Sequence, residues 1–190
     1  MLKKRELLTF GLCITGIAIG ITAFLGFYRK NNNVLQILEY PNPALRKVAN
    51  PVGHINNDIV ALSNDIIATL RYQTMKDFFL KRSMPRGLAA NQVGIPKRLI
   101  VCGINGEIKT LINPEILARE GTYYGYDDCM SVHKGDKKKI KRSAYVKLKY
   151  ISLDNKETIL VVRNRNAALL EHEIDHLNGV LNIDYWVANK

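Results

Sequence analysis

The sequence is poor in the residues that make a disulfide framework. Its three cysteines, Cys13, Cys102 and Cys129, are widely spaced and odd in number, which excludes a stapled scaffold and favours a reducing compartment. Low-complexity tracts and internal repeats are missing too, so disordered and solenoid architectures are excluded. With 190 residues, 47% of them hydrophobic, and a net charge of +11, the chain has the length and composition of one basic domain.

Charge is absent from one stretch altogether. "LLTFGLCITGIAIGITAFLGFY", residues 7 to 28, holds no Asp, Glu, Lys or Arg between "KKRE" and "RKNNN", a length that predicts a single membrane span. A signal peptide cleaved near Ala18 or Gly20 competes with it, but the apolar run continues past that point. Residues 1–33 are thus expected to form an anchor and polar linker, and residues 34–190 the working domain.

Past the linker, Pro41, Pro43 and Pro51 forbid a continuous helix and predict an extended arm. Ile59, Leu62, Ile66, Ile67 and Leu70 recur at helical spacing, predicting a helix from Asn57 to about residue 72. Short apolar runs follow at "RLIVCGI" and "EIKTLIN", joined by Asn105-Gly106, and at "AYVKLKYISL" and "ETILVV". A last helix is expected over 166–178, stopped by Gly179. Strands clustered between helices indicate an α+β domain.

Histidine is scarce, and half of it is concentrated. Two of the four histidines stand in "HEIDH", residues 172–176, where the spacing puts His172 and His176 on one helical face within reach of one metal ion. Glu173 between them can serve as the base beside an open metal position. A third histidine downstream, as some zinc endopeptidases have, is lacking: its place is Asn182, and Asp184 holds the only carboxylate after His176. The third ligand therefore lies upstream, with His54, His133 and Cys129 as candidates, and a thiolate would complete a Cys-His-His set.

Three segments in order, "GLAANQVG" (87–94), "DDCMS" (127–131) and "HEIDH" (172–176), with "ILEYPNPALRKVANPV" before and "GVLNIDY" after, resemble the peptide deformylases over residues 34–187. The resemblance implies an α+β fold in which small mixed or antiparallel sheets pack around a central metal-binding helix. It implies Cys129, His172 and His176 as metal ligands and Glu173 as the acid–base residue. It makes Gln92, with the backbone N–H of Met130, the donor to the tetrahedral oxygen. Gly87, Arg86, Asp127 and Asp128 fall where the family binds substrate. The cofactor implied is one divalent metal, iron(II), Fe2+, although the ligand types also accept Zn2+, Ni2+ or Co2+.

The sequence departs from the family in two places. Pro85 replaces the first glycine of the first motif, and Asp127 and Asp128 stand for glutamate and glycine in the second. The activity implied is removal of formyl from the N-terminal formylmethionine of nascent polypeptides; a degenerate deformylase-like metal module is the alternative. Eight Lys and Arg against one Asp in residues 134–149 offer contact with the ribosome. A protein held in the membrane through residues 7–28, with its catalytic domain on the cytosolic side, completes the expectation.

Overall fold

The computed structural model describes residues 19–81, 86–132 and 139–187. Residues 34–52 form the extended arm that the prolines predict, broken by one 3-10 turn, Pro43–Arg46, where the Asn42 side chain accepts the amide of Ala44 at 2.9 Å. Backbone bonds of 2.8 Å tie the arm down: Leu38 N–H donates to the carbonyl of Gln92, Tyr40 N–H to Ser131 and Ala49 N–H to Leu177. All three acceptors belong to segments that carry the site residues.

Helix α1, Asn57–Phe79, is capped by Asn56, whose side chain accepts the Ile59 amide at 3.1 Å. It outruns its expected end near residue 72 because residues 73–79 contain no proline or glycine. Thr74 returns its hydroxyl to the Leu70 carbonyl at 2.8 Å, so its polar group does not compete with the helix.

The strands are β1 (Gly87–Ala89), β2 (Leu99–Ile104), β3 (Glu107–Glu120), β4 (Tyr123–Tyr126), β5 (Lys139–Arg142), β6 (Tyr145–Ile151) and β7 (Glu157–Arg163). One sheet of five has the order β1-β2-β3-β6-β7, while β4 and β5 pair separately. Among the described residues every pair of these strands is antiparallel, so the mixed sheet allowed for by the resemblance is narrowed to antiparallel pairing. Asn105 and Gly106 have φ of 52° and 85°, as a two-residue primed hairpin requires. Strand β3 runs past the expected end at Asn113 because Pro114 falls at a register shift between Ile112 and Glu115, where a missing N–H costs the ladder little.

Helix α2, Arg165–Leu177, and the short α3, Asp184–Val187, close the chain. The sheet has a helix on each face, because side chains alternate along β2. Ile100, Cys102 and Ile104 pack with Leu170, Ile174 and Leu177 of α2. Leu99 and Val101 pack with Ile59, Leu62, Ile66 and Leu70 of α1. A strand buried on both faces explains why "LIVCGI", the residues of β2, has no polar side chain.

The membrane anchor requires correction. Among the described residues no helix is long and apolar enough to cross a membrane. Residues 19–31 are helical, and at about 1.5 Å per residue they reach roughly 20 Å, against about 30 Å of bilayer hydrocarbon. The last turn carries Arg29 and Lys30, and Tyr28 stacks on Tyr72 of α1 with ring centroids 6.4 Å apart. Residues 7–18, the rest of the expected span, lie outside the described residues.

Candidate active site

His172, Glu173 and His176 occupy consecutive turns of α2 and are buried to within a few per cent. Gly179, at φ 73°, ends the helix immediately after them, and a Cβ there would lie 2.8 Å from the Arg46 carbonyl carbon. Glycine at this position thus lets the arm cross the helix end, which brings the arm against the site.

The third group arrives from the loop after β4. Sγ of Cys129 is 3.2 Å from Nε2 of His176, which is 3.1 Å from Nε2 of His172. All three ligand atoms lie within 4.8 Å of one another. Ligands about 2.0 to 2.3 Å from one ion stand roughly 3 to 4 Å apart, so this donor set fits a divalent metal. Of the other candidates, His54 is exposed, His133 lies outside the described residues, and Asp184 is engaged by Arg46 at 2.5 and 2.9 Å. Asn182, where a third histidine would stand in the endopeptidase pattern, donates to the Asp127 carbonyl at 3.1 Å.

Gln92 follows β1 in the 3-10 turn Ala90–Val93 and is buried. Its Oε1 accepts the Ala89 amide at 2.9 Å, which turns Nε2 towards Ser131 Oγ at 3.1 Å and Cys129 Sγ at 3.9 Å. The amide therefore presents its donor end to the metal group. Gly87 lies on the other side, where a Cβ would come within 2.7 Å of the Glu173 carboxyl carbon.

A cavity of about 490 Å³ opens over this group, within the range of small-ligand sites. Arg86, Gly87, Gln92, Asp127, Asp128 and Cys129 line it, joined by Met130, His172 and Glu173. His176 sits behind them, 1% exposed. Every site residue that the family resemblance implied is thus in one place.

Asp127 is committed to other groups of the site. Its Oδ1 stands 2.5 Å from Nδ1 of His172, a charge contact more than an aligned hydrogen bond, and its Oδ2 accepts Nη2 of Arg142 at 2.8 Å. Arg142 also pairs with Asp175, which in turn accepts the Tyr185 hydroxyl at 2.8 Å. Burial opposes ionisation of Asp127, but His172 and Arg142 outweigh it and bring its pKa down to about 2. Glu173 moves the opposite way: burial, reinforced by Asp127 and partly offset by His172 and Arg142, raises it to about 7.

The sequence reading missed Arg142, Tyr123, Tyr126 and Arg165, all of them at the cavity. Arg142 was hidden in a run of lysines, yet the alternation of β5 exposes Lys139 and Lys141 and buries Ile140 and Arg142. The period of two was the available signal. Cys102, the other described cysteine, is fully buried, and burial holds its thiol well above the usual range.

A thiol and two imidazoles facing one point, with a buried carboxyl beside them and a fixed amide opposite, define a metal-dependent hydrolase. Residues 34–190 match the polypeptide deformylase family. The peptide deformylase of Thermoanaerobacter pseudethanolicus is 40% identical over 140 residues, 74% of this chain and 81% of that one. The crystal structure of the Thermotoga maritima peptide deformylase matches with a TM-score of 0.70 and 31% identity, over 80% of this chain and 97% of that one. The Met-Ala-Ser-bound enzyme of Acinetobacter baumannii matches with a TM-score of 0.68 and 27% identity, over 80% and 98%. The chain belongs to the peptide deformylase family, metal-dependent hydrolases that remove the N-formyl group from formylated nascent peptides. The match begins after the segment read as an anchor, and the expected membrane placement is not retained.

Proposed function

We propose that the chain hydrolyses the formyl group of N-terminal formylmethionine, releasing formate, with iron(II) held by Cys129, His172 and His176. The observation that carries the reading is the convergence of these three ligand atoms within 4.8 Å beside Glu173 and Gln92. A divalent metal there would supply Lewis acidity, activating water and polarising the formyl oxygen.

Glu173 takes the proton from the attacking water and delivers it to the α-amine as the C–N bond breaks. Its raised pKa suits both directions of transfer near neutrality. Gln92 Nε2, with the Met130 amide, donates to the oxygen that becomes negative when the carbonyl is attacked. Gly87, lacking a Cβ, leaves the room in which the Glu173 side chain sits against β1. Asp127 positions His172, while Arg86 and Asp128 face the bound chain. Contact with the ribosome, if made through the basic stretch, falls to the exposed Lys139, Lys141 and Lys147 among its described residues, because Arg142 is buried in the site.

The test is formate release from formyl-Met-Ala-Ser by the anaerobically purified full chain, with metal content measured, beside Glu173→Ala. Turnover with about one iron per chain, lost in the variant while the metal stays, is the expected result. Bound metal without turnover in the wild type would overturn the reading.

A further inference from the structure

Two cations at the cavity have no task in the chemistry described above. Arg86 directly precedes β1, and its Nη2 donates to the Gly103 carbonyl at 3.0 Å and to Oδ1 of Asn166. Arg165 opens α2 and makes no hydrogen bond or ion pair with any described residue. Both line the cavity.

The two guanidinium groups feel each other. Burial, then the like charge of Arg165, lowers the pKa of Arg86, and among the described residues no carboxylate forms an ion pair with it. Of the acids on the same wall, Asp127 is committed to Arg142 and His172, and Asp77 and Asp128 have interactions of their own. Two like charges facing one cavity, one anchored and the other unpaired, suit an anion that arrives with the ligand.

The helix gives the distance to that anion. Arg165, Leu169 and His172 fall on one stripe of α2, and Ala168 and Leu169 line the cavity between the ends. Seven residues of helix rise about 10 Å, and an extended peptide advances about 3.3 Å per residue. A chain with its formyl group near His172 therefore brings its second or third residue beside Arg165.

We propose that Arg86 and Arg165 form a carboxylate-reading subsite that selects formylated peptides with an acidic group two or three residues along. The proposal rests on the deformylase reading. The carboxylate can be an Asp or Glu side chain, or the free end of a short peptide.

The experiment compares kcat/KM of the metal-loaded full chain on formyl-Met-Ala-Glu-amide, formyl-Met-Ala-Gln-amide and formyl-Met-Ala-Gln with a free carboxyl end. A preference of about tenfold for Glu over Gln amide, carried mainly by KM, is expected. It should collapse in Arg165→Gln and Arg86→Gln, and turn towards formyl-Met-Ala-Lys-amide in Arg165→Glu. A matching gain for the free acid would add the chain end as a source. Equal rates on all three peptides, or a preference that survives both glutamine variants, would overturn the subsite and leave the activity standing. Absence of turnover on every peptide would instead overturn the activity. Calorimetric affinities of Met-Ala-Glu-amide and Met-Ala-Gln-amide then read the arginines directly: equal affinities reject the subsite and a Glu preference upholds it.

Discussion

Asp127 holds Nδ1 of His172 at 2.5 Å while Nε2 of the same ring faces Cys129 and His176. Asp127 lies two residues before Cys129, so one short loop both supplies a ligand and orients another. A carboxylate behind a ligating imidazole fixes the ring and raises its basicity.

Asp127→Asn should therefore weaken metal binding by about 10- to 100-fold, the usual cost of such a partner. Competition against a chromophoric chelator measures it; unchanged affinity would show that the contact has no such role.

Arg142→Ala removes a buried guanidinium and leaves the part-buried Asp127 and Asp175 without their shared cation. A cost of about 3–5 kcal/mol is expected when one member of a buried ionic group is removed, read as a lower denaturant midpoint at constant m. The pH dependence has a definite sign. The folded pKa of Asp127, about 2, lies below its unpaired value of 3.8, so its pairing stabilises above that value and is lost as pH falls towards 2. The gap between variant and wild type should narrow in that acid window.

Glu173→Gln should do the reverse in the metal-free protein. The folded pKa of about 7 lies above the ordinary 4.5, so folding is penalised as pH rises from 4.5 through 7, by up to about 3 kcal/mol at alkaline pH. Thermal melts should show the variant more stable than wild type at pH 8 and equal at pH 4. Its deformylase activity should nonetheless be lost.

Gly87→Ala puts a methyl group within 2.7 Å of the Glu173 carboxyl carbon. The side chain must move, and misplacing a proton-transfer group costs about 100-fold in kcat. Metal content should stay near that of the wild type, which separates this loss from a ligand defect.

Much of this protein is legible in linear order. The HEIDH helix can be read because a period of 3.6 alone puts His172 and His176 on one face. The β2–β3 hairpin can be read because Asn105-Gly106 is the turn itself. Strand β1 was hidden: Gly87, Leu88 and Ala89 are too few to show a periodicity, and only pairing with β2 makes them a strand. Arg142 was hidden by composition, since a lysine-rich run reads as solvated until the alternation of β5 turns every second residue inward.

The sequence by itself determined the chemistry available: two imidazoles and a carboxyl on one helical face, a thiol elsewhere, and a family likeness in three motifs. That information is local, because helix geometry relates residues a few positions apart. Only the tertiary structure decided which distant groups meet. It brought Cys129 to His176 across 47 positions, committed Asp127 to His172 and Arg142, and put Arg86 and Arg165 on the lining of one cavity. Such contacts depend on how the sheet, its two helices and the arm pack, and Asp127 and Arg142 pair there because a charge enclosed without a partner is costly.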